Sequence, residues 1–79
     1  MSNNEKYKKI FIESLDFDEK LFKEELKYQE IEEWDSIGHM GLISALEDEF
    51  SITLETEDIV SYDSYEKGIE ILKKYKIEF

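Results

Sequence analysis

From Ser36 to Phe50 the apolar residues Ile37, Met40, Ile43, Leu46 and Phe50 recur at steps of three, three, three and four, which predicts a helix with Glu47, Asp48 and Glu49 on its outer face. Upstream, Tyr7, Ile10, Phe11, Ser14 and Leu15 fall at spacings of three and four and predict a first helix over 5–15. Residues 16–35 break the period. There Leu21, Phe22, Leu26, Tyr28 and Ile31 are scattered among acids and lysines, which predicts a long connection with one short helical turn, held across the core by its apolar residues.

Beyond the central helix, Ser51-Ile52-Thr53-Leu54 alternates polar and apolar, but so short a run cannot make a stable sheet alone. An extended link that pins Ile52 or Leu54 into the core is expected. Thr56, followed by Glu57 and Asp58, predicts an oxygen-capped start to a short third helix through Val60. Asp63-Ser64-Tyr65-Glu66 has capping-box spacing and opens a fourth helix. Its stripe runs through Tyr65, Ile69 and Leu72 to an end near Tyr75, with lysines 73, 74 and 76 near the negative end of the dipole. With no internal repeat or proline, residues 1–79 read as a single all-α domain, a small four-helix bundle with a long first loop and a short third helix. The predicted core is Ile10, Phe11, Leu15, Leu26, Met40, Ile43, Leu46, Phe50, Leu54, Ile59, Ile69 and Leu72.

A chain of 79 residues buries only about 60% of the surface it exposes when unfolded, which leaves little room for a deep catalytic cleft. At 41% hydrophobic and 14% aromatic it still has material for a small core, although 39% is charged. The absence of cysteine excludes disulfides, thiolate zinc sites and thiol chemistry by the chain's own side chains, and it suits a reducing cytoplasm. Twenty-one acids against ten bases give a net charge of −11, which repels nucleic acid and anionic membranes. The charge favours a monomer that meets proteins with electropositive faces. Met1-Ser2-Asn3-Asn4-Glu5 lacks the apolar core of a signal peptide, and no run of about 18 apolar residues follows. A soluble, unexported chain with no membrane insertion is expected. Asp16-Phe17-Asp18 opens like a calcium loop but continues with Lys20 and no turn glycine, so no metal site is expected.

Taken alone, Asp35-Ser36 before an apolar-periodic run is a helix start, because either side-chain oxygen can accept from the unsatisfied first-turn amides. The neighbours say more. Trp34-Asp35-Ser36-Ile37-Gly38-His39-Met40, leading into Leu42-Ile43-Ser44-Ala45-Leu46-Glu47-Asp48-Glu49-Phe50, resembles the attachment motif and second helix of the acyl carrier protein family. The resemblance continues through Ile52-Thr53-Leu54-Glu55-Thr56-Glu57-Asp58-Ile59 and the closing 64–72 segment. It covers residues 26–72, and upstream it is architectural only.

The resemblance implies that Ser36 carries a 4′-phosphopantetheine arm, added from coenzyme A by a phosphopantetheinyl transferase that also contacts Asp35. The protein would then be a cytoplasmic carrier and not an enzyme, holding acyl groups as thioesters. An acyl-loading ligase or synthase would load it, and downstream acyltransferases would unload it. The position is chemically apt, since a phosphodiester on the Ser36 Oγ would lie by free amides at the positive end of the helix dipole. Alternatives are an aminoacyl or peptidyl carrier loaded by an adenylating ligase, and an acidic adaptor that is never modified.

The resemblance also places Glu47, Asp48, Glu57 and Asp58 on a recognition surface for basic partners, and Ile37, Met40, His39 and Gly41 among the residues that meet them. Trp34 reads as a structural wedge between loop and core. His39 reads as a solvated helix residue or a contact for the arm or a docking enzyme. A hydrolytic triad with Asp35 and Ser36 would need an oxyanion hole that nothing in the sequence suggests. Gly38 and Gly41 each cost about 1 kcal/mol relative to alanine inside a helix, which suggests close approach by a partner or by the arm. Fatty-acid carriers often have acids in this part of the helix, so the Ser-Ile-Gly-His-Met form is more similar to carriers dedicated to one biosynthetic pathway.

Overall fold

The computed structural model describes residues 3–79. Met1 and Ser2, which open the polar start discussed above, lie outside the described residues. Among the described residues there are four α-helices: α1 (Asn3–Leu15), α2 (Ser36–Phe50), α3 (Thr56–Ser61) and α4 (Tyr65–Lys74). No strand occurs among the described residues, and no helix is long and apolar enough to cross a membrane. The connection before α2 holds one 3₁₀ turn, Glu19–Leu21, whose first amides are met by Asp18: its Oδ1 accepts from the Lys20 N–H at 3.0 Å.

The α1 and α2 helices run antiparallel. Near the start of α1, Lys6 reaches the end of α2, with its Nζ 3.3 Å from the Glu49 carbonyl, 3.6 Å from the Glu49 carboxylate and over the Phe50 ring. At the other end, Leu15 closes on Gly38 at the start of α2. Tyr7, Ile10, Phe11 and Leu15 bury the predicted stripe of α1. The connection crosses this core, as its apolar residues lead one to expect. Phe17, Leu26 and Trp34 are buried, and Trp34 sets its ring perpendicular to Phe11 at 5.0 Å. Two backbone hydrogen bonds fasten the connection to the α3–α4 turn: the Tyr28 N–H donates to the Asp63 carbonyl and the Tyr65 N–H to the Leu26 carbonyl, each at 2.9 Å.

The apolar steps in α2 predict the helix but not its buried face. Each step of three falls about 60° short of a full turn, so from Ile37 to Leu46 the shortfall reaches about 180°. Those two residues therefore stand on opposite sides. Leu42, Ile43 and Leu46 are buried, whereas Ile37 is 83% exposed and Met40, expected in the core, is 53% exposed. Phe50, Ile59 and Ile69, also expected there, pack against the core while half-buried. Tyr62, Tyr65 and Ile71 are buried in addition.

Two predicted caps shift by one residue. The cap of α4 is Ser64, which accepts from the Lys67 N–H at 3.0 Å, and not Asp63. Thr56 lies inside α3, and Glu55 precedes it without a side-chain cap. The link before α3 is irregular, with Leu54 buried and its N–H donated to Glu47 Oε2 at 2.8 Å.

A line of hydroxyls joins α1 to α4. The Tyr7 O–H donates to the Tyr65 carbonyl at 2.8 Å, so at the 2.6 Å contact between Tyr62 and Tyr7 the hydroxyl of Tyr62 must be the donor. The Tyr7 and Tyr65 rings stack at 4.6 Å. Gly68 makes this possible, because a Cβ there would collide with the Tyr7 and Tyr62 hydroxyls. At Gly41 a Cβ would meet nothing. Gly68→Ala is accordingly expected to lose about 1–3 kcal/mol in urea unfolding through overpacking, while Gly41→Ala gains up to about 1 kcal/mol.

Burial, followed by the field of the neighbouring tyrosines, holds the Tyr7 phenol well above its ordinary range. Burial likewise raises Tyr62, and it pushes Tyr65 up to about 12. A group raised in the folded state adds stability that is complete below its unfolded value and is lost as pH climbs above it. Urea midpoints should therefore fall as pH rises past about 10, the unfolded phenol value, and this loss should shrink in the Tyr7→Phe/Tyr62→Phe variant.

Candidate functional site

Asp35 ends the connection in an extended conformation and caps α2. Its Oδ1 accepts from the Gly38 N–H at 2.8 Å, and its carbonyl accepts from the His39 N–H at 2.8 Å. Ser36 is the first residue of the helix. It is exposed, and its hydroxyl makes no hydrogen bond among the described residues.

The cause of the first glycine lies inside the chain. A Cβ at Gly38 would strike the Glu33 carbonyl and press on Leu15, so Gly38 lets the connection fold back onto its own helix. No partner or arm is needed to explain it. Gly41 is exposed with open space around it and remains a surface position.

His39 is neither solvated nor turned toward Ser36. It is half-buried, its Nδ1 receives the Trp34 Nε1–H at 3.0 Å, and its Nε2 lies 2.9 Å from the Ile59 carbonyl. Both ring nitrogens are occupied, and the Asp35 carboxylate serves the helix amide. Asp35, Ser36 and His39 therefore do not form a triad. Trp34 is fully buried, in the wedge position its sequence context suggests.

Two apolar residues of the first turns of α2 are open: Ile37 is adjacent to Ser36, and Met40 follows it by one turn on the same face. On α3, Val60 is 76% exposed next to the residue whose carbonyl holds His39. The acids expected on the recognition surface fall on two helices. Glu47, Asp48 and Glu49 sit roughly 16–20 Å along the axis, at the far end of α2. Glu47 is half-buried and holds the Leu54 amide, Glu49 pairs with Lys6, and Asp48 is exposed. Glu57 is exposed at the start of α3.

Asp58 is not available for steering partners. It is only 6% exposed, and its carboxylate accepts from Lys74 Nζ at 2.5 Å and from the Tyr75 hydroxyl at 2.6 Å. Tyr75 in turn accepts from the Glu55 N–H at 3.0 Å, so the end of α4 completes the uncapped start of α3. No local sequence signal announces this, because the partners are 16 and 17 residues away. The Trp34–His39 contact had a fainter signal in an indole placed five residues before the chain's one histidine.

The Lys74 ammonium, then the Tyr75 hydroxyl, hold the Asp58 carboxyl below its usual range. A depressed carboxyl adds stability that is present above its unfolded value, about 3.9, and is lost as pH falls. Asp58→Asn should unfold at lower urea than the parent at neutral pH, and the gap should close as pH drops below about 4. A constant gap would show that the ion pair is not its source.

Compared with known proteins, the chain matches no family model, no curated protein and no solved structure.

Proposed function

We propose that this protein is an acyl carrier: a cytoplasmic four-helix bundle that bears a 4′-phosphopantetheine arm on Ser36 and presents acyl groups to biosynthetic enzymes. The observation that carries the reading is the state of Ser36, an exposed and unengaged hydroxyl in the first position of the longest helix, directly after the capping Asp35. Aspartate satisfies the Gly38 amide itself, so the serine oxygen is spared from capping and left to be modified.

The residues present fit such a group. The Ser36 and Ile37 amides have no carbonyl a turn earlier within the helix, and the positive end of the α2 dipole points at this turn. An anion on Oγ would gain from both. When bound, the group supplies a flexible tether ending in a thiol, the chemistry a chain without cysteine lacks. The chain's own residues position the attachment point. Gly38 admits the Glu33 carbonyl, the Asp35 carboxylate stiffens the first turn, and His39 ties that turn to Trp34 and α3.

Partner recognition in this reading combines two surfaces. Ile37 and Met40 offer apolar contact near the attachment point, Val60 adds an exposed apolar side chain on α3, and Gly41 is an open surface position. Asp48 and Glu57, with Asp35, supply charge that draws a phosphopantetheinyl transferase or a loading ligase with a basic face. Gly38 answers to the chain's own packing, so a dedicated pathway rests on Gly41 standing where fatty-acid carriers often have an acid.

Intact mass after incubation with coenzyme A and a broad-range transferase should rise by one phosphopantetheine, and Ser36→Ala should abolish the increase. No mass change with several competent transferases would leave an unmodified acidic adaptor as the better reading.

A further inference from the structure

The hydrogen bond that joins α2 to α3 exists for one protonation state of one side chain. An indole N–H can only donate, so the nitrogen of His39 that faces Trp34 must carry its lone pair. The neutral ring then has its proton on Nε2 and donates to the Ile59 carbonyl. This single tautomer satisfies a buried indole on one side and a helix carbonyl on the other. A proton added at Nδ1 would put two donors face to face at 3.0 Å and leave the Trp34 N–H buried without an acceptor, a costly state away from water.

The ring has somewhere to go. A crevice of about 240 Å³ lies beside it, lined by Tyr28, His39, Ile59, Val60, Tyr62 and Asp63. From the connection, Trp34 stacks on His39 and Tyr28 meets it edge-on at 5.6 Å. From the α3 side, Tyr62 presents its edge at 5.4 Å, with its hydroxyl already committed to Tyr7. On its own helix, the Asp35 carboxylate is held by Gly38, and the α2 dipole opposes a positive charge in this turn. Among the described residues lining the crevice, the exposed Asp63 brings the carboxylate that an imidazolium turning outward would meet. α3 would keep its grip on α4 through Asp58, Lys74 and Tyr75 while its contact with α2 opens.

We propose that Trp34, His39 and Ile59 form a proton-operated latch: protonation of His39 frees α3 from α2 and opens the crevice one turn from Ser36. Histidine is the side chain whose charge ordinarily changes between pH 5 and 8, and this chain has one histidine, one tryptophan and no cysteine. The latch does not depend on whether Ser36 is modified.

The test uses the full chain between about pH 7.5 and about pH 5, above the range where most carboxylates titrate. Imidazole nitrogen NMR shifts should report the Nε2–H form at the upper end. As pH falls, acrylamide access to Trp34 should increase. Exchange of α3 amides, corrected for intrinsic rates, should accelerate by up to about tenfold per pH unit, as linkage to one proton requires. His39→Gln keeps a donor for Ile59 and cannot titrate, so its α3 exchange should be flat. In Trp34→Phe the donor clash is gone and the acceleration should shrink. A flat wild-type profile, or an equal acceleration in His39→Gln, overturns the latch. If His39→Gln does not fold, Trp34→Phe decides, and an undiminished acceleration there overturns it.

Discussion

An aromatic side chain with a polar end can fill a small core only if that end finds a hydrogen-bond partner, and this constraint organises the protein. Trp34, Tyr7 and Tyr62 are among its largest fully buried side chains. Among the described residues no buried side-chain polar atom lacks a partner. Each requirement becomes a tether between segments distant in sequence. The Tyr62–Tyr7–Tyr65 line joins α1 to the α3–α4 region, and the Trp34–His39–Ile59 line joins the connection to α2 and α3. These contacts hold together helices of which α3 is only six residues long and too short to persist alone.

What could be read from the sequence follows the range of each interaction. The positions of α1, α2 and α4 were legible because their apolar spacing is local, and so was the Asp35 cap, whose amide lies three residues on. The buried face of α2 was not, because apolar residues at steps of three wind around a helix, and only a neighbour decides which arc is covered. α1 packs on α2, and the covered arc holds Leu42, Ile43 and Leu46 and leaves Met40 to solvent. The sequence also showed the cost of Gly38 without its cause, since the colliding carbonyl of Glu33 belongs to a connection with no regular structure. Asp58 was the least legible site residue. In sequence it belongs to an acidic run, and only its partners on α4 reveal a buried structural role.

The same geometry divides the acidic surplus into two kinds. Carboxylates such as those of Asp58, Glu47 and Glu30 are engaged by nearby donors, while Asp48, Glu57 and Asp63 face solvent. Under the proposed carrier reading, apolar contact with a partner then forms around Ile37 and Met40, while charge acts from Asp35 beside Ser36, from Asp48 near the end of α2 and from Glu57 on α3. Attraction of that kind raises encounter rates and is screened over about 8 Å at physiological ionic strength, whereas apolar contact is not.

The fit of Gly68 beneath the Tyr7 and Tyr62 hydroxyls bears on how this sequence can change over time. A side chain at 68 has space only if the hydroxyls retreat, and removing the Tyr7 hydroxyl alone strands the buried donor of Tyr62. Positions 7, 62 and 68 are therefore locked into one inherited unit: descendants of this chain should keep all three residues or exchange them together, and single replacements should be rare intermediates.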